Sequence, residues 1–145
     1  MSRKIIITTG DPNGIGTEIT LKAIKNLNLD FDRFVVVSNS EILKFYGADN
    51  SFFRRCNIIE VPFDKQNIQT GEITKEAGDF AFRALVKACL MAKEGIYSGI
   101  VTAPTSKEAM TLAGFNYSGQ TEILETFLAK QGQKAQMLFY SKWLS

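Results

Sequence analysis

Histidine is absent from this 145-residue sequence, and that absence removes more chemistry than any other feature of its composition. Without an imidazole the chain supplies no Ser-His pair, no ring nitrogen that shuttles protons near neutral pH and no histidine metal ligand. Cysteine is nearly as scarce. Cys56 and Cys89 lie far apart and form no CxxC pair, which excludes a zinc knuckle and reads as two reduced, buried thiols. No long apolar run occurs at the start, where Ile5, Ile6 and Ile7 give way at once to polar and turn residues. Such a stretch is too short for a signal-peptide core or a membrane span. Neither sign of charge dominates: 17 Lys+Arg against 15 Asp+Glu leave a net +2, which marks no nucleic-acid or membrane surface. We therefore expect a cytoplasmic protein with neither nucleic acid nor membrane as partner. Any catalysis must rest on carboxylates, lysine, hydroxyls, amides and backbone dipoles, or on groups supplied from elsewhere.

What is present is a chain of average composition, 45% hydrophobic and 22% charged, long enough to bury a real core. Residues 4–9 form a β-branched run that stops at the turn cluster Gly10-Asp11-Pro12. Beyond Gly14 and Gly16, helical spacing of Ile19, Ala23, Ile24 and Leu27 predicts a helix with Thr17 as its N-cap. Further strands are expected over residues 33–38, 57–61, 97–102 and 135–140. Helices are expected over 41–46, 75–94, 106–113 and 121–130, the last capped by Thr121. Residues 63–71 read as an exposed loop. Alternation of strand and helix argues for an α/β layered fold with a mainly parallel sheet, and no linker divides residues 1–145, so one folded unit is expected.

Three strand-to-helix loops carry the candidate chemistry. Gly10-Asp11-Pro12-Asn13-Gly14-Ile15-Gly16 precedes a helix start, where free N–H groups attract an anion. Its GxxxGxG spacing is neither the GxGxxG of dinucleotide folds nor a P-loop, and a tight structural turn accounts for the glycines equally well. Residues 101–108, Val-Thr-Ala-Pro-Thr-Ser-Lys-Glu, offer hydroxyls and Lys107. Read plainly, Ser106 or Thr105 caps a helix and Lys107 is solvated; read functionally, Lys107 projects into a cleft and attracts a carboxylate or phosphate. In Gly119-Gln120-Thr121-Glu122 the residues alone favour an ordinary cap. Together the three loops suggest a small-molecule site at one sheet edge.

At these same stretches the chain resembles the 4-hydroxythreonine-4-phosphate dehydrogenase family of pyridoxal phosphate biosynthesis. The residues are Ile7 to Glu18 (ITTGDPNGIGTE), Val101 to Gly114 (VTAPTSKEAMTLAG) and Gly119 to Glu122 (GQTE), in family order. The resemblance implies a two-domain, three-layer α/β/α enzyme, similar in fold to isocitrate and isopropylmalate dehydrogenases, of which this chain is the amino-terminal portion. It implies a homodimer that oxidises a phosphorylated hydroxy amino acid with NAD or NADP, assisted by a divalent metal. It implies substrate contacts at Gln120 and Thr121, with Asp11, Asn13 and Lys107 as further cleft residues. Gln120 stands where the family motif has histidine. The family's metal-binding histidines and most of its phosphate-binding basic residues belong to the stretch beyond the one matched here, so no metal ligand and no catalytic base is assigned to this chain.

Overall fold

The computed structural model describes residues 4–141. Four parallel strands, β1 (Lys4–Thr8), β2 (Phe34–Ser38), β3 (Ile58–Glu60) and β4 (Tyr97–Thr102), form one sheet in the order β3-β2-β1-β4. Apolar residues alternate between its faces because successive strand side chains point to opposite sides. Ile6, Val35 and Val37 join Ile42 and Phe80 in one core cluster, while Phe34 and Val36 join Ile24 and Cys56 in a second. The first cluster is closed by α2 (Ser40–Phe45) and α4 (Lys75–Lys93), the second by α1 (Gly16–Asn26) and α3 (Asn50–Arg55). Helices therefore flank both faces, as a parallel sheet requires.

The long helix α4 forms as its alanine stripe predicts. Ala77, Ala81, Ala84 and Ala88 are buried, Thr74 caps the first turn by accepting from the Ala77 N–H, and the Arg83–Asp79 pair closes at 2.7 Å. Gly78 lets α5 (Lys107–Leu112) cross it closely, since a Cβ there would lie 2.0 Å from the Ala109 carbonyl oxygen. α6 (Gln120–Leu128) packs on the same helix through Ile123, Phe82, Leu85 and Met110.

Four expectations are corrected. Thr17 does not cap α1: the helix starts at Gly16 on Ile15, and the Thr17 hydroxyl is buried without a partner. Thr121 does not cap α6, whose N-cap is Gly119. Asn50–Arg55 form a helix that periodicity missed, started by Asp49 accepting from the Phe52 N–H. Residues 135–140 form no strand. No neighbour supplies a ladder to this segment, and Leu138, Phe139 and Tyr140 are almost wholly exposed. Both cysteines are free and buried, as expected.

Candidate functional site

The β1–α1 step runs toward β3, and the β3–α4–β4 step returns past β2 and β1. The direction of winding therefore reverses between β1 and β4, and open α/β sheets bind ligands at the carboxyl ends of strands flanking that reversal. The loops after β1 and β4 meet there, backbone to backbone. The Asp11 N–H donates to the Pro104 carbonyl at 3.1 Å. Gly10 has φ +72°, and a Cβ on it would lie 2.1 Å from the same carbonyl oxygen, so two independent constraints demand glycine.

Asp11 is buried and bends the loop upon itself, its carboxylate accepting from the Asn13 N–H at 2.8 Å. Burial pushes its pKa above the usual carboxylate value, against the opposing pull of the Asn13 and Gly14 N–H groups. Asn13 is also buried. Its Nδ2 donates to the Glu72 carbonyl and to Thr74 Oγ1, and its Oδ1 accepts from the Gln69 N–H. The stretch expected as an exposed loop is thus clipped to the glycine loop, with Tyr46 adding a hydroxyl bond to the Pro12 carbonyl at 2.7 Å. Tyr46 was not singled out by sequence reasoning; nothing local in a helix-terminal tyrosine signals a partner 34 residues away.

Gln120 joins the third loop to this assembly. Its Nε2 donates to the Ala103 carbonyl at 3.0 Å and to Thr105 Oγ1 at 3.1 Å. A carbonyl oxygen only accepts, so the amide nitrogen must face it and both Nε2 hydrogens are engaged there. Thr105 thereby becomes a functional neighbour that its motif position had offered only as a cap. Ser106 takes the cap, accepting from the Ala109 N–H. Lys107 and Thr121 are exposed on the first turns of α5 and α6. Glu122 receives the Ser118 N–H at 2.6 Å, and that bond, with the Lys107 charge nearby, holds its carboxyl below the usual value. The structure brings Asp11, Asn13 and Gln120 into one bonded assembly at the end of the sheet, with Lys107 and Thr121 beside it at the surface.

This arrangement can bind and orient, and its described residues do not fit a metal. Among them no group of three or more His, Cys, Asp or Glu side chains converges. Burial pushes both thiols up to about 11, and each is a lone buried cysteine with no second ligand beside it among the described residues. A Cβ at Gly16 would lie 2.3 Å from the Thr9 carbonyl oxygen, so this glycine is required by the loop's own close approach to β1.

Known proteins share this framework. The D-threonate 4-phosphate dehydrogenase of Salmonella typhimurium is 33% identical over 97% of this chain and 48% of its own length. The 4-hydroxythreonine-4-phosphate dehydrogenase of Nostoc sp. is 35% identical over 83% of this chain and 37% of its own. The crystal structure of 4-hydroxythreonine-4-phosphate dehydrogenase from Klebsiella pneumoniae superposes with a TM-score of 0.76 at 35% identity, over 87% of this chain and 44% of that one. The chain thus spans about half the length of the relatives it matches or less. The family model described as pyridoxal phosphate biosynthetic protein PdxA matches residues 3–145, and this chain belongs to that family.

Proposed function

We propose that this chain forms one wall of the substrate cleft of an NAD- or NADP-dependent dehydrogenase. In this reading it is the amino-terminal portion of a two-domain, homodimeric, cytoplasmic enzyme. Its substrate is 4-hydroxythreonine 4-phosphate, a phosphorylated hydroxy amino acid, and the reaction oxidises the alcohol to a 2-amino-3-oxo acid. The observation that carries the reading is Gln120, bonded across to Ala103 and Thr105 at the point where the sheet reverses its winding.

The chain's share of the work is binding. With both Nε2 hydrogens spent, Gln120 offers a ligand only its Oε1, an acceptor. It therefore suits the substrate's hydroxyl or ammonium group and cannot hold the phosphate as a cationic histidine would. Thr121 supplies an exposed hydroxyl, and Lys107 supplies the positive charge for phosphate or carboxylate. Asp11 and Asn13 act from beneath, fixing the loop on which the ligand rests. Hydride acceptance and metal ligation fall to groups outside the described residues.

A thermal-shift titration tests this. A ligand that binds only the native state raises the melting temperature as its concentration passes its dissociation constant. The expected result is a rise with 4-hydroxythreonine 4-phosphate, weakened in Lys107→Ala, and no reduction of NAD or NADP by the chain with substrate and a divalent cation. Absence of any shift would sink the cleft assignment, and robust turnover would sink the division of labour. Gln120 in place of histidine also favours a second reading, a small-molecule-binding module that kept the fold and lost the chemistry. Supplying the complementary half of the Klebsiella pneumoniae relative separates the two: the first yields NAD(P)H and the second does not.

A further inference from the structure

Asn13-Gly14 is the one Asn-Gly step in the sequence. Such a step is chemically labile, because glycine carries no side chain to shield its amide nitrogen from the carboxamide before it. In the folded chain every group that the reaction needs is held elsewhere. The Gly14 N–H donates to the Asp11 carbonyl at 3.1 Å. Asn13 Nδ2 spends its two hydrogens on the Glu72 carbonyl and on Thr74 Oγ1, at 3.0 and 3.1 Å. Its Oδ1 accepts from the Gln69 N–H, and its main-chain carbonyl from the Gly71 N–H, each at 2.8 Å. Asn13 is only 2% exposed.

The segment that covers it is held differently. Ile68 packs against the core cluster of Phe80, and α4 begins at Lys75, so both ends are anchored. Between them Gln69, Thr70, Gly71, Glu72 and Ile73 are all exposed. A turn fixed by hydrogen bonds, with little apolar surface beneath it, opens at lower cost than the sheet it lies on. We propose that Asn13 is a deamidation site gated by residues 69–74, and that its modification makes a reversible opening of this turn permanent.

Once the turn lifts, the Gly14 amide nitrogen attacks Asn13 Cγ. A bond forms between that nitrogen and Cγ, the Cγ–Nδ2 bond breaks, and Nδ2 leaves as ammonia with the proton that the Gly14 nitrogen gives up. Solvent water then opens the succinimide at one of its two carbonyls, leaving aspartate or isoaspartate at position 13. Nothing is oxidised or reduced. Either product has lost both Nδ2 donors, so the Glu72 carbonyl and Thr74 Oγ1 have no hydrogen left to accept there. The new carboxylate would also be buried two residues from that of Asp11, and a second unpaired charge in that place is costly. Isoaspartate adds a carbon to the main chain as well, just where Asp11 holds the Asn13 and Gly14 N–H groups. The turn therefore does not close again as before.

This inference rests on the loop's own bonds and not on the substrate or cofactor reading, and its test uses no ligand. Trypsin releases residues 5–22 as one peptide whose only side-chain amide is Asn13, so a deamidation mass gain in it reports this site alone. The whole chain is incubated at mildly alkaline pH, native and in guanidinium chloride. Modification is expected in both, at least a hundredfold slower in the native state. Tyr46→Phe removes the bond to the Pro12 carbonyl and should raise the native rate at least threefold, with amide exchange at Gln69 rising by the same factor. Gly14→Ala sits at a position of ordinary contacts, so it folds, and it should slow the reaction at least tenfold in both conditions. Native protein isolated after modification should exchange the Gln69 amide at its unprotected rate. The proposal is overturned by equal rates in the two conditions, or by no modification in guanidinium chloride. It is overturned equally by a native rate that ignores the Gln69 opening, or by a modified chain that still protects Gln69.

Discussion

At the scale of single residues, the glycines of the first loop serve different ends. Gly10 combines a left-handed backbone with a carbonyl at 2.1 Å from where a Cβ would sit. Gly14 has neither constraint, its nearest atom being an ordinary 3.6 Å away. Gly10→Ala should therefore cost roughly 2 kcal/mol or more, the left-handed penalty alone amounting to about 1–2 kcal/mol. Gly14→Ala should be neutral or stabilising by up to about 1 kcal/mol, through the lower entropy of the unfolded chain. Urea denaturation of the two variants measures both. Equal losses at the two positions would mean that the loop needs glycine for something other than its own packing. The same contrast bears on the spacing. GxxxGxG matches no ligand-binding signature, and Gly10 and Gly16 answer to Pro104 and Thr9, which only the folded chain shows.

Elements were legible where local signals agree. β1, β2, β4 and α4 follow from β-branched runs and an alanine stripe, and Ser106 caps α5 as a hydroxyl at that position should. Residues 135–140 carry a strand composition, yet composition cannot supply a partner, and strands exist only as pairs. The short helix Asn50–Arg55 carries too few residues to show a period, although Asp49 was a cap in plain view. The site was half legible: its three loops were found, their mutual bonds were not. Asn13 is the clearest case. Its side-chain partners lie 56 to 61 residues away, beyond any local pattern. Asn13→Ala would leave the Gln69 N–H, the Glu72 carbonyl and the Thr74 hydroxyl short of a partner. A loss of about 2–3 kcal/mol is expected, together with faster amide hydrogen exchange at Gln69. Unchanged exchange there would show that the clip does not hold residues 69–74.

For the molecule as a whole, the missing histidine shapes the dependence of stability on pH. No side chain has an ordinary pKa between pH 5 and 8, and both thiols titrate near 11. The acid side is governed by carboxylates whose shifts run in opposite directions. Glu41 and Glu122 are lowered in the folded state from 4.5, by Lys44 and by the Ser118 N–H respectively. Their stabilisation is present above 4.5 and disappears as pH falls through their folded values; because both are exposed, it is small. Asp11 works the other way. Its folded pKa is raised from 3.8 by burial, so the folded state binds the proton more tightly than the unfolded chain. The cost of ionising it therefore sets in as pH rises from 3.8 through the folded value and persists at neutral pH. Asp11→Asn keeps an acceptor for the Asn13 N–H and removes the buried charge. The variant should melt higher than the parent at pH 7 and together with it below pH 3.8, with the gap opening between. Calorimetry across that range decides the matter. A variant less stable than the parent at pH 7 would mean that the two N–H groups outweigh burial, and that the loop is built to hold a carboxylate rather than merely to tolerate one.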